Sequence, residues 1–568
     1  MNEIFNILKG FFKDNKSLVF YSVGFQILYS ILETILIPLV IAGAFNNISS
    51  LPKLKTQLII LVVLWIIVKT VGCLSLYYHN KFEPEISKYI IMNIMNSIFQ
   101  KYEYDNSITN VSILIDKIHM IKSNLHDFSY LLFTVFLPKF IVLIISCANI
   151  IFINKELGII IILCIIFQYI LILTNVTKCI SATCIEHKTK NKMFEHIEDI
   201  FSNIRTIQCT NNGYDFEMGN LLNIVDDVKS KENNTYNCIN TKQILGYGSN
   251  IFIFAYIMFT IFRLYREKKL SSEQTTTTVL LVIGLFDNMS NITYYLPEFS
   301  HRYGILSSNE DFLKELVLYS SREKQNINNI SSHVIEFKNV TFKYPKANKN
   351  ILQNFNIVLP ENKVITIFGQ SGVGKTTFTK MLYGIEKPNE GAVYIDNKNI
   401  NDHDITDVRK CIAYIEQNTS NLFNRSIFDN ITYGIKCDSK QKDVLKSKLK
   451  DTFIKFNLYN IFKNLDKDKP EWSFLEQNVG KIGDKLSGGQ KKIIHLLRLS
   501  LNENPKIIVL DEPTNGLDIN TRNNLISFIY YLKSKGNTII LISHDEHFKN
   551  ISDHVIEFYP DKNPVLIK

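Results

Sequence analysis

The sequence predicts two fold classes in series: an all-α membrane domain of six helices, followed by an α/β domain. Apolar residues are unevenly distributed along the 568-residue chain, which is 46% hydrophobic and 21% charged, with a mean hydropathy of +0.03. Long apolar runs are concentrated in the first half, whereas short buried strands alternate with helical segments in the second. This composition excludes intrinsic disorder, a collagen-like fibre, a small disulfide scaffold and a single soluble domain.

Six apolar stretches are long enough to cross a membrane, which takes about 20 residues for roughly 30 Å of hydrocarbon. The third and fourth are separated only by Asn154, Lys155 and Glu156, which predicts a tight hairpin. Long polar segments that are compatible with helix follow the second and the fourth. The predicted spans are residues 17–45, 57–79, 128–153, 157–176, 246–264 and 275–297.

Lysine and arginine are concentrated in the N-terminal segment and in the two long polar segments. Because basic loops tend to stay in the cytosol, both termini and both long segments are predicted to be cytosolic in a multi-pass membrane protein. The net charge of +9 then reflects this topology, and no nucleic-acid partner is expected. Charged residues within or close to the spans either face a polar cavity as functional sites or lie at hydrated helix ends. They are Glu33, Lys69, Lys139 and Asp287.

The nine cysteines form no C-x-x-C pair, and none lies in a segment predicted to face the outer side of the membrane. We therefore expect free thiols in a reducing compartment, without a zinc or redox site. The first apolar stretch is longer than the core of a cleavable signal peptide, so we interpret it as a retained span.

A phosphate-binding loop marks the second domain. An alternating strand is predicted over Val334–Tyr344 and a short buried strand over Val364–Phe368, and the loop follows the second of these directly. Its glycines allow backbone N–H groups to surround phosphates, its lysine reaches the β- and γ-phosphates, and its first threonine can ligate Mg²⁺. The pattern therefore predicts an α/β P-loop NTPase that uses ATP and Mg²⁺. The loop consists of Gly369, Gln370, Ser371, Gly372, Val373, Gly374, Lys375, Thr376 and Thr377.

Two further strands end in titratable residues. The buried run Lys506–Leu510 is followed by Asp511, which can bind Mg²⁺, and by Glu512, which can accept a proton from an attacking water. The run Thr538–Ser543 leads into His544.

A second helix N-terminus that could bind an anion is predicted directly after Leu486. It consists of Ser487, Gly488, Gly489 and Gln490. Two phosphate sites on one small ATPase domain are explained if two domains complete each other's sites in a dimer.

These motifs, in this order, resemble the ATP-binding cassette (ABC) transporters. Six spans followed by one cassette are similar to a half-transporter of the exporter type, and Glu198–Ile207 and Leu422–Gly434 resemble segments of that group. We therefore predict a transmembrane domain over residues 1–315, a linker over 316–333 and an ABC nucleotide-binding domain over 334–568.

The resemblance also implies roles for single residues. Tyr344 would stack on adenine, and Gln417 would sense Mg²⁺ and the γ-phosphate. The signature Ser487–Gln490 would hold the γ-phosphate bound to the opposite subunit, which Asp518 would also reach. His544 would contact the γ-phosphate, and Glu512 would be the general base.

The chain departs from the exporter pattern at three places. The loop before the signature carries Lys481 where exporters usually have glutamate, which puts the details of coupling in question. Lys491-Lys492-Ile493 and Asn515-Gly516-Leu517-Asp518 are also atypical of exporters, but no catalytic group is lost.

The function expected is ATP-driven export or translocation of an unidentified solute across the lipid bilayer by a dimer, with a homodimer favoured. An importer of the same architecture and a regulatory or channel-associated ABC protein that does not pump are the alternatives.

Overall fold

A computed structural model describes residues 2–104, 111–314, 333–344, 347, 349–370, 372–402, 405–417, 421–466, 470–501, 505–560 and 562–568. The chain forms two compact units. The first contains the helices between Asn2 and Ser308, and the second contains the strands and helices between Ile335 and Leu566. Most of the predicted linker, residues 316–332, lies outside the described residues.

The described part of the first unit consists of helices joined by short turns. Six helical stretches in it are long and apolar enough to cross a membrane, as predicted, so the chain is a multi-pass membrane protein. The helices are α1 (Asn2–Asp14), α2 (Lys16–Ile31), α3 (Ile37–Asn46), α4 (Leu51–Tyr104), α5 (Val111–Tyr130), α6 (Leu137–Ile153), α7 (Lys155–Leu173), α8 (Val176–Ser202), α9 (Ile204–Cys209), α10 (Gly213–Arg266) and α11 (Ser272–Ser308).

The long polar segments are mainly extensions of the spans rather than separate loops. Helix α10 alone has 54 residues, which corresponds to roughly 80 Å at 1.5 Å per residue. In the extension of α4, apolar residues recur every fourth position from Phe82 to Ile98 and are buried against α1, α5 and α11. This stripe explains why a polar stretch folds as helix, because one face of it is a hydrophobic core.

Two of the spans contain a π-helical turn directly before a proline-bearing helix start. Leu32–Leu36 joins α2 to α3, in which Pro38 is near the first position, and Leu131–Phe136 joins α5 to α6, which starts at Leu137-Pro138. Proline lacks the N–H that an α-helix needs for its i−4 carbonyl and collides with that carbonyl. The wider turn accommodates the proline without ending the span.

Two of the four membrane charges contact each other. Glu33 accepts a hydrogen bond of 2.7 Å from the Tyr29 hydroxyl and lies 3.8 Å from the Lys69 ammonium of α4. Asp287 accepts from Asn291 within α11 at 3.4 Å, and the backbone carbonyl of Lys139 accepts from the Asn288 amide at 2.8 Å.

One cysteine pair contradicts the prediction of nine free thiols. Cys179 of α8 and Cys238 of α10 form a disulfide with their Cα atoms 5.6 Å apart, and the other seven cysteines are free thiols. The prediction considered only short spacings, whereas the packing of α8 against α10 brings together residues separated by 59 positions.

The second unit is an α/β domain built on two sheets. One is antiparallel in the order β2-β1-β4-β5, and the other has the order β10-β9-β3-β8-β7-β6. In the second sheet β9, β3, β8, β7 and β6 run parallel, and β10 is antiparallel to β9. The strands are β1 (Ile335–Phe342), β2 (Leu352–Leu359), β3 (Val364–Gly369), β4 (Glu390–Ile395), β5 (Lys398–Asn399), β6 (Ile412–Ile415), β7 (Ile507–Asp511), β8 (Thr538–Ile542), β9 (His554–Tyr559) and β10 (Lys562–Leu566).

Both faces of this parallel sheet are covered, which explains the continuous apolar runs in its strands. On β7, Ile507 and Val509 belong to one hydrophobic core, and Ile508 and Leu510 belong to the other. The surrounding helices are α12 (Lys375–Leu382), α13 (Ile405–Cys411), α14 (Ile427–Ile431), α15 (Ser439–Lys455), α16 (Tyr459–Phe462), α17 (Gly488–Leu501), α18 (Ile519–Ser534) and α19 (Glu546–Ile551).

Candidate nucleotide-binding site

The sheet topology brings four of the sequence motifs to one edge. Strands β3, β8, β7 and β6 are neighbours and parallel, so their carboxyl ends lie side by side. The P-loop follows β3, His544 follows β8, Asp511 and Glu512 end β7, and Gln417 follows β6. In open α/β sheets this edge is the usual place for a ligand.

The P-loop has the tight backbone that its glycines predict. Gly374 has φ +104°, and a Cβ there would lie 2.4 Å from the Ile351 side chain. A Cβ on Gly369 would lie 2.7 Å from the Phe558 carbonyl oxygen. Neither position accepts another residue without a shift of its neighbours, and α12 begins directly afterwards at Lys375. Ser371, a predicted member of this loop, lies outside the described residues.

The Lys375 ammonium lies over the loop. It donates hydrogen bonds to the carbonyl oxygens of Gly369 at 2.7 Å and Gln370 at 2.8 Å. Burial lowers the pKa of Lys375, and the negative charges of Glu512 and Asp511 oppose that shift. Its charge is thus held between the loop and the acidic pair.

The acidic pair is buried at the end of β7, where both residues are 7% exposed. Burial, with a contribution from the neighbouring Glu512 charge, raises the pKa of Asp511 to about 6. Glu512 has φ +46°, a conformation that non-glycine residues rarely adopt and that often marks functional positions. Its Oε1 lies 2.6 Å from the His544 Nδ1, and His544 is 69% exposed.

These groups line one cavity of about 640 Å³. It brings together most of the predicted P-loop site, together with Ile351 and Ile542, which the sequence analysis did not propose. Tyr344 follows β1 and reaches this cavity from the antiparallel sheet, where its hydroxyl lies 3.2 Å from the Thr377 hydroxyl. The predicted residues in the lining are Tyr344, Gly369, Gln370, Gly372, Gly374, Lys375, Thr376, Thr377, Gln417, Asp511, Glu512 and His544. Val373 does not line it and packs against the adjoining core.

The signature residues line a different cavity, of about 520 Å³. Ser487, Gly488 and Gly489 form one side of it, at the start of α17, and Asp518 forms another, at the start of α18. Gln417 lines both cavities. The predicted site is thus divided into two parts within one chain.

Two of the predicted residues that line the signature cavity, Ser487 and Asp518, act as helix N-caps. The Ser487 N–H donates to Gln490 Oε1 at 2.9 Å while the Gln490 N–H donates to Ser487 Oγ at 3.3 Å, which is a capping box. Gln490 also donates through Nε2 to the Ile461 carbonyl and does not line the cavity. Asp518 accepts from the Thr521 N–H and hydroxyl, and the hydroxyl bond lowers the pKa of Asp518.

Lys492, one of the departures from the exporter pattern, lies between the motifs. Its ammonium donates to the carbonyl oxygens of Glu512 at 3.0 Å and Asn515 at 2.7 Å, and it lines the signature cavity. The sequence feature that could have identified Lys492 is its position one helical turn after the signature. Lys481, which reverses the usual charge, is exposed at the surface.

The second unit matches known proteins in sequence. The family model described as ABC transporter matches residues 352–515. The energy-coupling factor transporter ATP-binding protein EcfA1 of Staphylococcus aureus is 32% identical over 225 residues, which are 39% of this chain and 77% of that protein. The chain belongs to the ABC transporter family.

Longer ABC relatives match over part of their length. The ATP-dependent lipid A-core flippase of Pseudoalteromonas translucida is 34% identical over 214 residues, which are 37% of this ABC chain and 34% of the flippase. The chain matches between 34% and 39% of the length of this and two similar relatives.

The whole fold matches a solved structure described as a bacterial Atm1-family ABC exporter with ATP bound. The TM-score is 0.78 at 18% sequence identity, with 96% of this ABC chain and 95% of that chain covered. The likeness confirms the predicted fold class of six membrane helices joined to an ABC ATPase domain.

Proposed function

We propose that this ABC chain is a half-transporter that works as a dimer, a homodimer in its simplest form, and that it uses ATP to export or translocate a solute across a membrane. The observation that carries the proposal is the division of the site. Lys375, Asp511, Glu512 and His544 line one cavity, and the signature residues line another. Each chain therefore has a catalytic half and a phosphate-binding half.

The residues of the catalytic half suit ATP and Mg²⁺. Oxygen donors from Asp511, Thr376 and Gln417 line the same cavity, and oxygen ligands are those that Mg²⁺ prefers. When bound, Mg²⁺ neutralises phosphate charge. The Lys375 ammonium and the backbone N–H groups of the P-loop orient the β- and γ-phosphates, and the Tyr344 ring supports the base.

Glu512 is the proposed general base. It is buried beside Asp511 at a rigid strand end, and its strained backbone fixes the direction of its carboxylate. The carboxylate accepts the proton of the attacking water, and His544, in contact with Glu512 Oε1, orients that carboxylate and faces the γ-phosphate. Catalysis by this constellation consists mainly of positioning and charge stabilisation.

The signature half of one chain completes the catalytic half of the other. The start of α17 presents the backbone N–H groups of Gly488 and Gly489, and a helix start attracts phosphate. Asp518 reaches across the same interface. ATP thereby holds two nucleotide-binding units together, and its hydrolysis releases them.

The basic residues of the N-terminal segment and of the helix extensions support a cytosolic location for both termini and for the nucleotide-binding unit. The solute crosses between the membrane helices of the two chains.

A flux assay on proteoliposomes tests the transport function. Full-length protein is reconstituted, ATP is supplied on the side of the nucleotide-binding unit, and a broad solute panel is followed in both directions. Export predicts movement away from the ATP side that Glu512→Gln abolishes and Glu546→Gln, a matched change of an exposed acid, does not. Movement toward the ATP side would identify an importer. ATP-dependent conformational change without any flux would identify a regulator.

Mixed dimers test the shared site. Lys375→Ala removes the P-loop cation, and Gly488→Asp adds a negative charge at a position where a Cβ meets nothing within 4 Å. When each chain of a doubly tagged dimer carries one of the two changes, one composite site stays intact, and about half of the ATPase activity remains. When one chain carries both changes and its partner none, both composite sites are damaged. Self-contained sites would give the opposite pattern.

A further inference from the structure

A small cluster of metal-binding side chains lies outside the nucleotide site. Glu186 and His187 of α8 and His301 of α11 each direct one potential ligand atom toward the others, and these atoms all lie within 4.8 Å of one another. All three residues follow the apolar parts of the predicted fourth and sixth spans.

The two helices come together closely beside this cluster. A Cβ on Gly304 of α11 would lie 2.7 Å from the Thr183 Cβ and 3.0 Å from the Ile180 carbonyl oxygen of α8. The missing side chain lets the two backbones approach. His187 is one turn beyond Thr183 and His301 one turn before Gly304, so the close approach brings the imidazoles near each other, with ring centroids 6.2 Å apart.

Glu186 carries an unused ligand atom. The residue is 2% exposed, and its Oε1 accepts a hydrogen bond of 2.7 Å from Lys190. Its Oε2 is buried and makes no hydrogen bond of good geometry among the described residues, and the Thr235 hydroxyl is its polar neighbour. A carboxylate oxygen buried without a good hydrogen bond is costly, and a bound cation would satisfy it.

The cations near His187 are offset by neighbouring carboxylates. The two cations that face His187 are Lys190 and Arg302. Each is already paired with two carboxylates, at 2.7 Å for Lys190 and at 2.9 and 3.0 Å for Arg302. These pairs offset the charges of both cations, which would otherwise repel a metal ion. The carboxylates are Glu186 and Glu232 around Lys190, and Asp127 and Glu298 around Arg302.

We propose that Glu186, His187 and His301 bind a divalent transition metal such as Zn²⁺ between α8 and α11. Two imidazole nitrogens and one carboxylate oxygen are a ligand set that Zn²⁺ uses when it keeps a fourth position for water. In a tetrahedral site the ligand atoms are about 3.4 Å apart, so small side-chain rotations close this cluster around the ion. Of the three ligands, His187 also lines a cavity of about 440 Å³.

The metal ties the extension of the fourth span to that of the sixth. This inference is independent of the proposed transport function, because metal binding is measured without nucleotide. Its failure would leave the ATPase and flux experiments unchanged.

Metal retention by the full-length chain tests the proposal. The protein is purified in detergent without a histidine tag, stripped with EDTA, given Zn²⁺ and desalted, and its zinc content is measured. We expect about one zinc per wild-type chain and a loss of at least about tenfold in affinity in His187→Gln and in His301→Gln. His196→Gln, on the same helix but in contact with Glu217, is the matched control and keeps the zinc.

The absorption spectrum of bound Co²⁺ distinguishes metal binding at this site from metal binding to the free cysteines. Co²⁺ in the same site gives visible absorption bands of tetrahedral coordination without a thiolate charge-transfer band, and Zn²⁺ raises the unfolding midpoint of wild type but not of the two variants. Equal unfolding midpoints in EDTA establish that the variants fold, and either variant alone suffices. The proposal is overturned if wild type retains no zinc, if both histidine variants retain it as wild type does, or if the cobalt spectrum shows thiolate ligation.

Discussion

The two cavities of the nucleotide-binding unit differ in how their functional groups are held. In the P-loop cavity, Asp511 and Glu512 are buried at the end of a strand that is covered on both faces. In the signature cavity, Ser487 and Gly488 are exposed at the start of a helix, and Asp518 is a helix cap. The acids proposed to perform chemistry are thus fixed by the sheet, and the groups proposed only to bind phosphate are presented at the surface. The comparison predicts that damage to the first cavity lowers the chemical rate and damage to the second lowers assembly.

The largest effect is expected for Glu512→Gln. The amide cannot accept a proton, so the ATPase rate should fall by about 10²- to 10⁴-fold, while ATP binding persists because Lys375 and the P-loop are unchanged. Single-turnover hydrolysis and equilibrium binding of ATP measure the two quantities. Equal losses of rate and binding would mean that Glu512 holds the nucleotide instead of accepting the proton.

A smaller loss is expected for His544→Ala. His544 is largely exposed and contacts Glu512 Oε1, so its removal takes away the group proposed to orient Glu512 and to contact the γ-phosphate but leaves the proposed base. The ATPase rate should fall by about 10²-fold. His547→Ala, an exposed histidine in the neighbouring helix, is the control and should leave the rate unchanged. A rate for His544→Ala within twofold of wild type would remove His544 from the mechanism.

The pH dependence of the Mg²⁺ concentration that the ATPase requires tests the role of the buried Asp511. Because burial raises the pKa of Asp511 to about 6, its carboxyl is ionised above that pH and becomes protonated below it. Mg²⁺ competes with the proton, so the Mg²⁺ concentration that gives half-maximal ATPase activity should rise about tenfold per pH unit below 6. Excess Mg²⁺ should restore the rate there. A half-maximal concentration that stays constant between pH 5 and 7 would contradict this assignment.

The sequence alone was sufficient to predict those parts of the structure that depend on local sequence pattern. Apolar length predicted the six spans, and the strands predicted before the P-loop, before Asp511 and before His544 are present as β3, β7 and β8. The division into two cavities was not predicted residue by residue. Gln490 was assigned to phosphate, although Ser487 and Gln490 already have the spacing of a capping box.

Contacts between helices that are distant in sequence could not be predicted from the hydrophobic pattern. The Cys179–Cys238 disulfide and the cluster of Glu186, His187 and His301 depend on which faces of α8, α10 and α11 meet. Helical periodicity predicts which face of each helix is buried but not which other helix packs against that face. The positive φ of Glu512 is likewise a property of the chain's turn after β7 and has no local sequence signal.

The smallest effect is expected at Asp518, where capping and the proposed contact across the dimer can be separated. Asp518→Ala removes the acceptor for the Thr521 N–H and hydroxyl, so it should lower the midpoint of thermal unfolding. Asp518→Asn keeps a good cap and removes only the charge, so thermal unfolding should be nearly unchanged. If Asn nevertheless lowers the ATPase rate, the charge itself acts at the interface. If Asn and wild type have equal rates while Ala is slower, Asp518 serves the signature cavity only by fixing the start of α18.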